Sequence, residues 1–367
     1  MLEVIVLDRK RIVVKIGSSS LTNSKGEIDQ LKLKDHIASI AALKRVGKEV
    51  ILVSSGAVAA GFKQLGYPSR PVTLKGKQAA AAVGQGLLIQ HYTESLKEYG
   101  IVPAQILLTR NDFSKKERYR NAYSTLSELL ERGILPIINE NDTVSVEELT
   151  FGDNDMLSAL VSGLIHAEQL IILTDINGLY DSNPKENSSA KRLDYIEKVT
   201  PEFLEGAKGS GSKVGTGGMK SKLIAAETAL SLGVQVFIGS GYGEDKLLDV
   251  LAGKGDGTYI GSDGLSAITS NRQWIALHSK VEGKVYVDEG AELALLQKGS
   301  SLLPAGIYKV EGIFEKGDVV EVFGTSGLIG KGEVLYGSNE LTDLLAGKLR
   351  KQEGLQEVIH RNSWVKI

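Results

Sequence analysis

From residue 11 to about 240, short apolar runs rich in β-branched residues alternate with longer segments rich in alanine and leucine. Residues 11–16, 49–54, 102–108, 135–139, 169–174 and 234–239 are apolar with little polar alternation. That pattern marks strands buried on both faces. Between them, 32–45, 77–99, 122–132, 156–166 and 219–232 have the length and composition of helices. The alternation predicts an α/β domain, a mostly parallel sheet sandwiched by helices.

After about residue 273 the pattern changes to short strands punctuated by glycine turns, at 284–287, 306–310, 319–323 and 332–336. Few helical windows remain, so a small C-terminal β-barrel is expected. The stretch 252–271, with Gly253, Gly255, Gly257, Gly261 and Gly264, is the expected boundary. The expected domains are 8–260 and 274–357, joined by a linker at 261–273.

Composition narrows the chemistry. The chain has 367 residues and a net charge of −2, which asks for neither nucleic acid nor an anionic membrane. Cysteine is absent, which removes disulfides, thiolate chemistry and cysteine-rich metal sites. Five scattered histidines without an HExxH pair argue against a zinc hydrolase. The apolar start at 1–7 is interrupted by Asp8, Arg9, Lys10 and Arg11, and no apolar run approaches the roughly 18 residues of a membrane span. A cytoplasmic protein with no membrane partner is therefore expected. The 42 glycines, against seven prolines, imply many places where backbone approaches a ligand or another strand.

In an open α/β sheet, ligands gather at the carboxyl ends of the strands, and four such ends carry chemistry here. Val14-Lys15-Ile16-Gly17-Ser18 runs a lysine into a glycine–serine turn. A lysine on a buried strand is costly unless its ammonium meets an anion, and the turn behind it offers backbone N–H groups. Ser54-Ser55-Gly56-Ala57-Val58 passes from strand into helix, where amide donors suit a carboxylate or phosphate. Asn139-Glu140-Asn141-Asp142 and Gly152-Asp153-Asn154-Asp155 place amides and carboxylates able to grip an ammonium and a carboxylate together. Leu173-Thr174-Asp175 is followed by Gly215-Thr216-Gly217-Gly218-Met219-Lys220-Ser221-Lys222, a glycine loop that opens a helix with two lysines. Taken singly, each has an ordinary structural explanation: a snorkelling lysine, a helix cap or a turn. The G-x-x-x-x-G-K-[ST] spacing is absent, and no G-x-G-x-x-G follows the first strand.

Together these parts suit phosphoryl transfer, in which a protein mainly positions reactants and neutralises charge. One lysine can face the transferred phosphoryl group and the other the leaving phosphates, with Asp155 holding both ammonium groups. A carboxylate nucleophile needs no general base, in keeping with the lack of a nucleophile–histidine pair. The expected acceptor is a small carboxylate.

The same strings resemble the amino acid kinase family, and in combination its members that phosphorylate free glutamate. The tail is similar to a PUA domain in Val287-Asp288-Glu289-Gly290-Ala291, Ser301-Leu302-Leu303-Pro304-Ala305-Gly306 and Gly312-Ile313-Phe314-Glu315-Lys316-Gly317-Asp318. The resemblance implies transfer of the ATP γ-phosphate, with Mg2+, to the γ-carboxylate of L-glutamate. The product, glutamyl 5-phosphate, opens proline biosynthesis. It implies Lys15, Lys222 and Asp155 as catalytic residues, and Ser55, Gly56, Asn139, Asp142 and Asn154 as substrate-binding. Lys15, Gly17, Thr174, Asp175, Thr216, Gly217, Gly218, Met219, Lys220, Ser221 and Lys222 would hold the nucleotide. Proline as feedback inhibitor and a homo-oligomer come with the family.

Two rivals remain open. One is a kinase of the same fold acting on acetylglutamate, aspartate, carbamate or a nucleoside monophosphate. The other is an RNA-binding or RNA-modifying protein working through the PUA domain. Residues 276–367 hold 11 Lys or Arg against 13 Asp or Glu, a poor balance for gripping phosphates, so RNA is disfavoured. The basic run Lys115-Lys116-Glu117-Arg118-Tyr119-Arg120 is expected to be a solvated face, and Trp274 and Trp364 are expected to fill the second domain. Asp181-Ser182-Asn183-Pro184 is a turn by composition. No set of three or four metal ligands is visible, so magnesium would ride on the ATP phosphates.

Overall fold

The computed structural model describes residues 11–144, 154–182, 187, 189–206, 218–261, 274–346 and 357–366. The chain divides into two compact units, Met1–Asp112 with Arg120–Ala267, and Phe113–Tyr119 with Ile268–Ile367.

The larger unit is built on an eight-stranded sheet. Its strands are β1 (Arg11–Ile16), β2 (Glu49–Ser54), β3 (Pro103–Leu108), β4 (Leu135–Glu140) and β5 (Gln169–Leu173). A two-stranded hairpin, β6 (Leu179–Tyr180) and β7 (Arg192–Leu193), stands apart, and β8 (Tyr195–Ile196), β9 (Gln235–Gly239) and β10 (Gly257–Ile260) complete the sheet. The order is β3-β4-β2-β1-β5-β9-β10-β8. The first six of these run parallel, and β10 turns antiparallel to β9. Parallel neighbours require crossovers, and the helices supply them.

Side chains leave β1 on alternate faces. Ile12, Val14 and Ile16 pack into an apolar cluster with Leu33, Ile37 and Ile40 of α2 (Gln30–Arg45) and with Leu88 and Tyr92 of a 24-residue helix, Leu74–Lys97. Two short helices complete the count on this side of the sequence. These are α1 (Ser18–Leu21) before α2, and α3 (Ala57–Gly61), which makes Leu74–Lys97 the helix α4. Lys15 points to the opposite face, its ammonium meeting the first turn of the helix Asn154–Leu164. That helix is buried on nearly every side, as a helix must be when it lies between a sheet and a further helix. Its outer neighbour is the helix Met219–Ser231, whose end approaches so closely that a Cβ on Gly163 would lie 2.5 Å from Leu232 Cδ1.

The glycine-rich stretch at 252–271 has a role other than a bare boundary. Gly257–Ile260 is a strand of the main sheet. A Cβ on Gly255 or Gly257 would lie 2.7 or 2.5 Å from its neighbours, Val250 and Phe237 among them, so these glycines mark close packing. The second half of that stretch, 262–271, lies outside the described residues.

The smaller unit carries a five-stranded mixed sheet. Val281–Val287 lies between Ile307–Gly312 and Val319–Gly324, antiparallel to the first and parallel to the second. Gly327–Val334 and Ile359–Lys366 extend it with antiparallel pairs, and Leu302 bridges Ile359. Two helices pack here that the turn-rich text did not suggest, Glu289–Gln297 and Ser338–Leu345. Asp288 caps the first, accepting from Ala291 N at 2.8 Å. Trp274 and Trp364 are buried, Trp364 within the unit's core. The basic run is only partly solvated. Lys116 pairs with Glu333 and lies 5.7 Å over the Trp274 ring, and Tyr119 is buried.

Candidate active site

The parallel strands present their carboxyl ends together. β1 pairs with β2 and β5 so that Ile16 stands beside Ser54 and Leu173. The segments following β1, β2, β4 and β5 therefore converge, and the helices Asn154–Leu164 and Met219–Ser231 begin beside them.

Three charged side chains define the centre. Lys15 Nζ lies 2.5 Å from Asp155 Oδ1, and Lys222 Nζ lies 3.0 Å from Asp155 Oδ2. One carboxylate is thus shared between two ammonium groups drawn from a strand and a neighbouring helix. Asp155 and Lys15 are 0% and 1% exposed, so the pairs are made away from bulk water, where charges act strongly on one another. Ser221 Oγ donates to Asp155 Oδ2 at 3.0 Å. The same hydroxyl lies 2.8 Å from the Gly218 carbonyl at the start of its helix. Gly17 follows Lys15 with no room to spare, since a Cβ there would lie 3.3 Å from Lys15 Nζ.

On the β2 and β4 side lies a buried amide cluster. Asn154 Nδ2 contacts Asn139 Oδ1 at 2.7 Å, Ser55 Oγ at 2.9 Å and the Ser54 carbonyl at 3.2 Å. Ser54 Oγ donates to the Ser55 carbonyl and meets Tyr92 OH at 2.8 Å. Burial pushes the Tyr92 phenol well above its ordinary range, so it stays a neutral donor. Gly56 has φ +117°, a left-handed conformation that a side chain would strain, and it starts α3. α3 is held against α4 by backbone contact: a Cβ on Gly84 would fall 1.8 Å from the Ala57 carbonyl. Asp142 follows two residues after Glu140, the last residue of β4. Burial, reinforced by the charge of Glu140, raises its carboxyl to about 6. Gln85 of α4, on which no sequence motif falls, accepts from Asn139 Nδ2 at 2.9 Å.

Beyond β5, Thr174 Oγ1 donates to Asp175 Oδ1 at 3.1 Å, and Thr174 N bonds the Gly239 carbonyl. Gly178 (φ +115°) lies against Thr258, whose hydroxyl accepts from Leu179 N and so pins the β6–β7 hairpin. Gly218 precedes the helix that begins at Met219, and Lys220 is exposed on its first turn. Thr216 and Gly217 lie outside the described residues, as does Asp153. Among the described residues, no group of three His, Cys, Asp or Glu side chains is placed to hold a metal ion.

Residues 10–240 match the amino acid kinase family, and residues 283–353 match the PUA domain. The chain belongs to the amino acid kinase family. Glutamate 5-kinase 1 of Bacillus licheniformis is 66% identical over 364 residues, covering 98% of this chain and 100% of that protein. Glutamate 5-kinase 1 of Bacillus subtilis is 64% identical, with the same coverage. Among solved structures, a carbamate kinase from Giardia superposes with a TM-score of 0.50 at 20% identity, covering 70% of this chain and 100% of that one. That likeness bears on the fold alone. The amino acid kinase match places the Lys15, Asp155 and Lys222 cluster inside the kinase region, with the PUA domain following it.

Proposed function

We propose that this amino acid kinase transfers the γ-phosphoryl group of ATP to the γ-carboxylate of L-glutamate, the entry step of proline biosynthesis. The carrying observation is the buried Lys15–Asp155–Lys222 arrangement beside the Ser55, Asn139 and Asn154 cluster. The near-full-length likeness to glutamate 5-kinases supports glutamate over the other carboxylates.

In this reading a γ-carboxylate oxygen attacks the γ-phosphorus, and the bond to the β–γ bridging oxygen breaks. The product is glutamyl 5-phosphate with ADP as leaving group. The nucleophile is already an anion, so no proton has to leave it. Lys15 and Lys222 stabilise the charge spread over the phosphoryl oxygens, and Asp155 fixes the two ammonium groups before substrate arrives, which spares reorganisation during the reaction. Ser55 and Gly56, with Asn139 and Asn154, hold the substrate carboxylate, and ionised Asp142 takes its ammonium. Gly17, Thr174, Asp175, Thr216, Gly217 and Gly218, with Met219, Lys220 and Ser221 at the start of the helix that follows, receive the nucleotide. Magnesium would come with ATP and would neutralise part of the phosphate charge. A cytoplasmic homo-oligomer with proline as feedback inhibitor completes the reading, and the PUA unit serves the kinase rather than RNA.

A glutamate-dependent ADP-release assay, with the acyl phosphate trapped by hydroxylamine, tests it against a panel of acceptors. Turnover with free glutamate is expected. Turnover with acetylglutamate, aspartate or carbamate and none with glutamate overturns it.

A further inference from the structure

Two backbone groups set the direction of the hydrogen bonds in the amide cluster. The Glu140 N–H can only donate and lies 2.9 Å from the Asn139 side chain, so that end of the Asn139 amide is its oxygen. The Ser54 carbonyl can only accept and lies 3.2 Å from the Asn154 side chain, so that end is the nitrogen. The 2.7 Å contact between the two asparagines is then donor to acceptor, as it must be. Ser55 Oγ, 2.9 Å from the same Asn154 nitrogen, is therefore an acceptor toward it. The hydroxyl proton of Ser55 is left to point elsewhere.

The same logic extends outward. With its oxygen turned in, Asn139 presents Nδ2 to Gln85, whose oxygen stands 2.9 Å away. Gln85 in turn aims Nε2 at Gln105 Oε1, at 3.3 Å. It is half-buried on α4, next to Gly84, whose backbone lies against Ala57 at the start of α3. A rotated Asn139 would set its NH2 against the Glu140 N–H and against Asn154 Nδ2, donor against donor.

We propose that Gln85 is a positioning residue for the acceptor carboxylate. The Glu140 N–H and the Ser54 carbonyl set the orientation of the asparagine pair, and by accepting from Asn139 Nδ2 Gln85 anchors its outer end, so that the Ser55 hydroxyl stays in place to donate. A carboxylate offers only acceptor oxygens, so a donor Ser55 selects for it. The inference rests on the reading of Ser55 as an acceptor-binding group.

Gln85→Met, similar in size but without the acceptor oxygen, tests it by steady-state kinetics on the full chain. The KM for glutamate is expected to rise about tenfold with the KM for ATP unchanged, and the Tm to fall by no more than the loss of one buried hydrogen bond. Ser55→Ala is expected to raise the same KM. Because Gln85 acts through that hydroxyl, the double variant is expected to be no worse than Ser55→Ala alone. A wild-type glutamate KM in Gln85→Met overturns the proposal. So does an equal rise in both KM values, or effects that multiply in the double variant. Failure of the functional reading looks different: the wild-type chain then turns over another carboxylate, and the same cycle is read on that acceptor.

Discussion

Lys15 Nζ and Asp155 Oδ1 stand 2.5 Å apart, and each side chain is 1% exposed. A pair so deeply buried contributes little net stability; removing Asp155 would strand two ammonium groups at a cost of about 3–5 kcal/mol, whereas removing one lysine leaves the carboxylate paired with the other and costs mainly its buried packing. Lys222, on the other oxygen of the same carboxylate, is slightly more open at 8%. Lys222→Met is therefore expected to lose turnover with a smaller drop in Tm than Lys15→Met. In both, kcat should fall by about 10²–10³-fold, the usual consequence of deleting one preorganised electrostatic group. Circular-dichroism melts alongside ADP release check this; wild-type kcat in either folded variant removes that lysine from the chemistry.

Asp142 titrates near 6 because burial and the Glu140 charge both disfavour its anion. A substrate ammonium beside it would favour the anion and lower that value. Glutamate binding at pH 6 should then release about half a proton from Asp142, and close to none at pH 8, where the group is already ionised. Calorimetry in buffers of different ionisation enthalpy measures the release. Asp142→Asn should abolish the pH dependence, and release that persists in that variant would point to another group.

The buried parallel strands were legible because both faces are covered and the text is uniformly apolar; 11–16 and 49–54 match the observed strands. Gly257–Ile260 was hidden because Gly257, and Gly255 just before it, answer to the Phe237 ring, a contact from elsewhere in the chain. The helices Glu289–Gln297 and Ser338–Leu345 are only nine and eight residues long, too short for periodicity to stand out among glycine turns. At the site, residue types spoke for phosphate and carboxylate handling, and the expected sharing of Asp155 by Lys15 and Lys222 is what the packing of two helices beside β1 produces. Gln85 sits in an alanine-rich helix with no motif around it. It is one of several polar side chains along α4, so nothing in the text sets it apart.

His36 is buried on α2 with Nε2 3.1 Å from the Ser20 carbonyl in α1. Burial is the largest influence on it, with Lys246 and Lys32 opposing its protonation and Asp35 and the Ser20 carbonyl favouring it, and its pKa falls to about 4. Because the folded value lies below the unfolded 6.5, the stability it contributes is present above pH 6.5 and is lost as pH falls toward 4. The whole window is worth about 3 kcal/mol. His36→Gln keeps an N–H for Ser20 but cannot titrate. Urea melts between pH 7 and 4 should show a shallower stability loss in this variant than in wild type, and parallel curves would place the linkage elsewhere.

Gly84 couples helix packing to substrate binding. An added methyl group would lie 1.8 Å from the Ala57 carbonyl and 2.5 Å from Gly61 N, both backbone atoms that no rotamer change can move aside. Gly84→Ala must therefore push α3 away from α4, an overpacking that costs about 1–3 kcal/mol. α3 begins directly after Ser55 and Gly56, so the displacement reaches the acceptor side first. The Lys15–Asp155–Lys222 contacts lie across the sheet from α4 and should hold. The expected outcome is a lower Tm and a raised KM for glutamate, with the KM for ATP within twofold of wild type, roughly the error of such assays. An equal rise in both KM values would mean that the displacement spreads through the sheet instead of stopping at the acceptor loop.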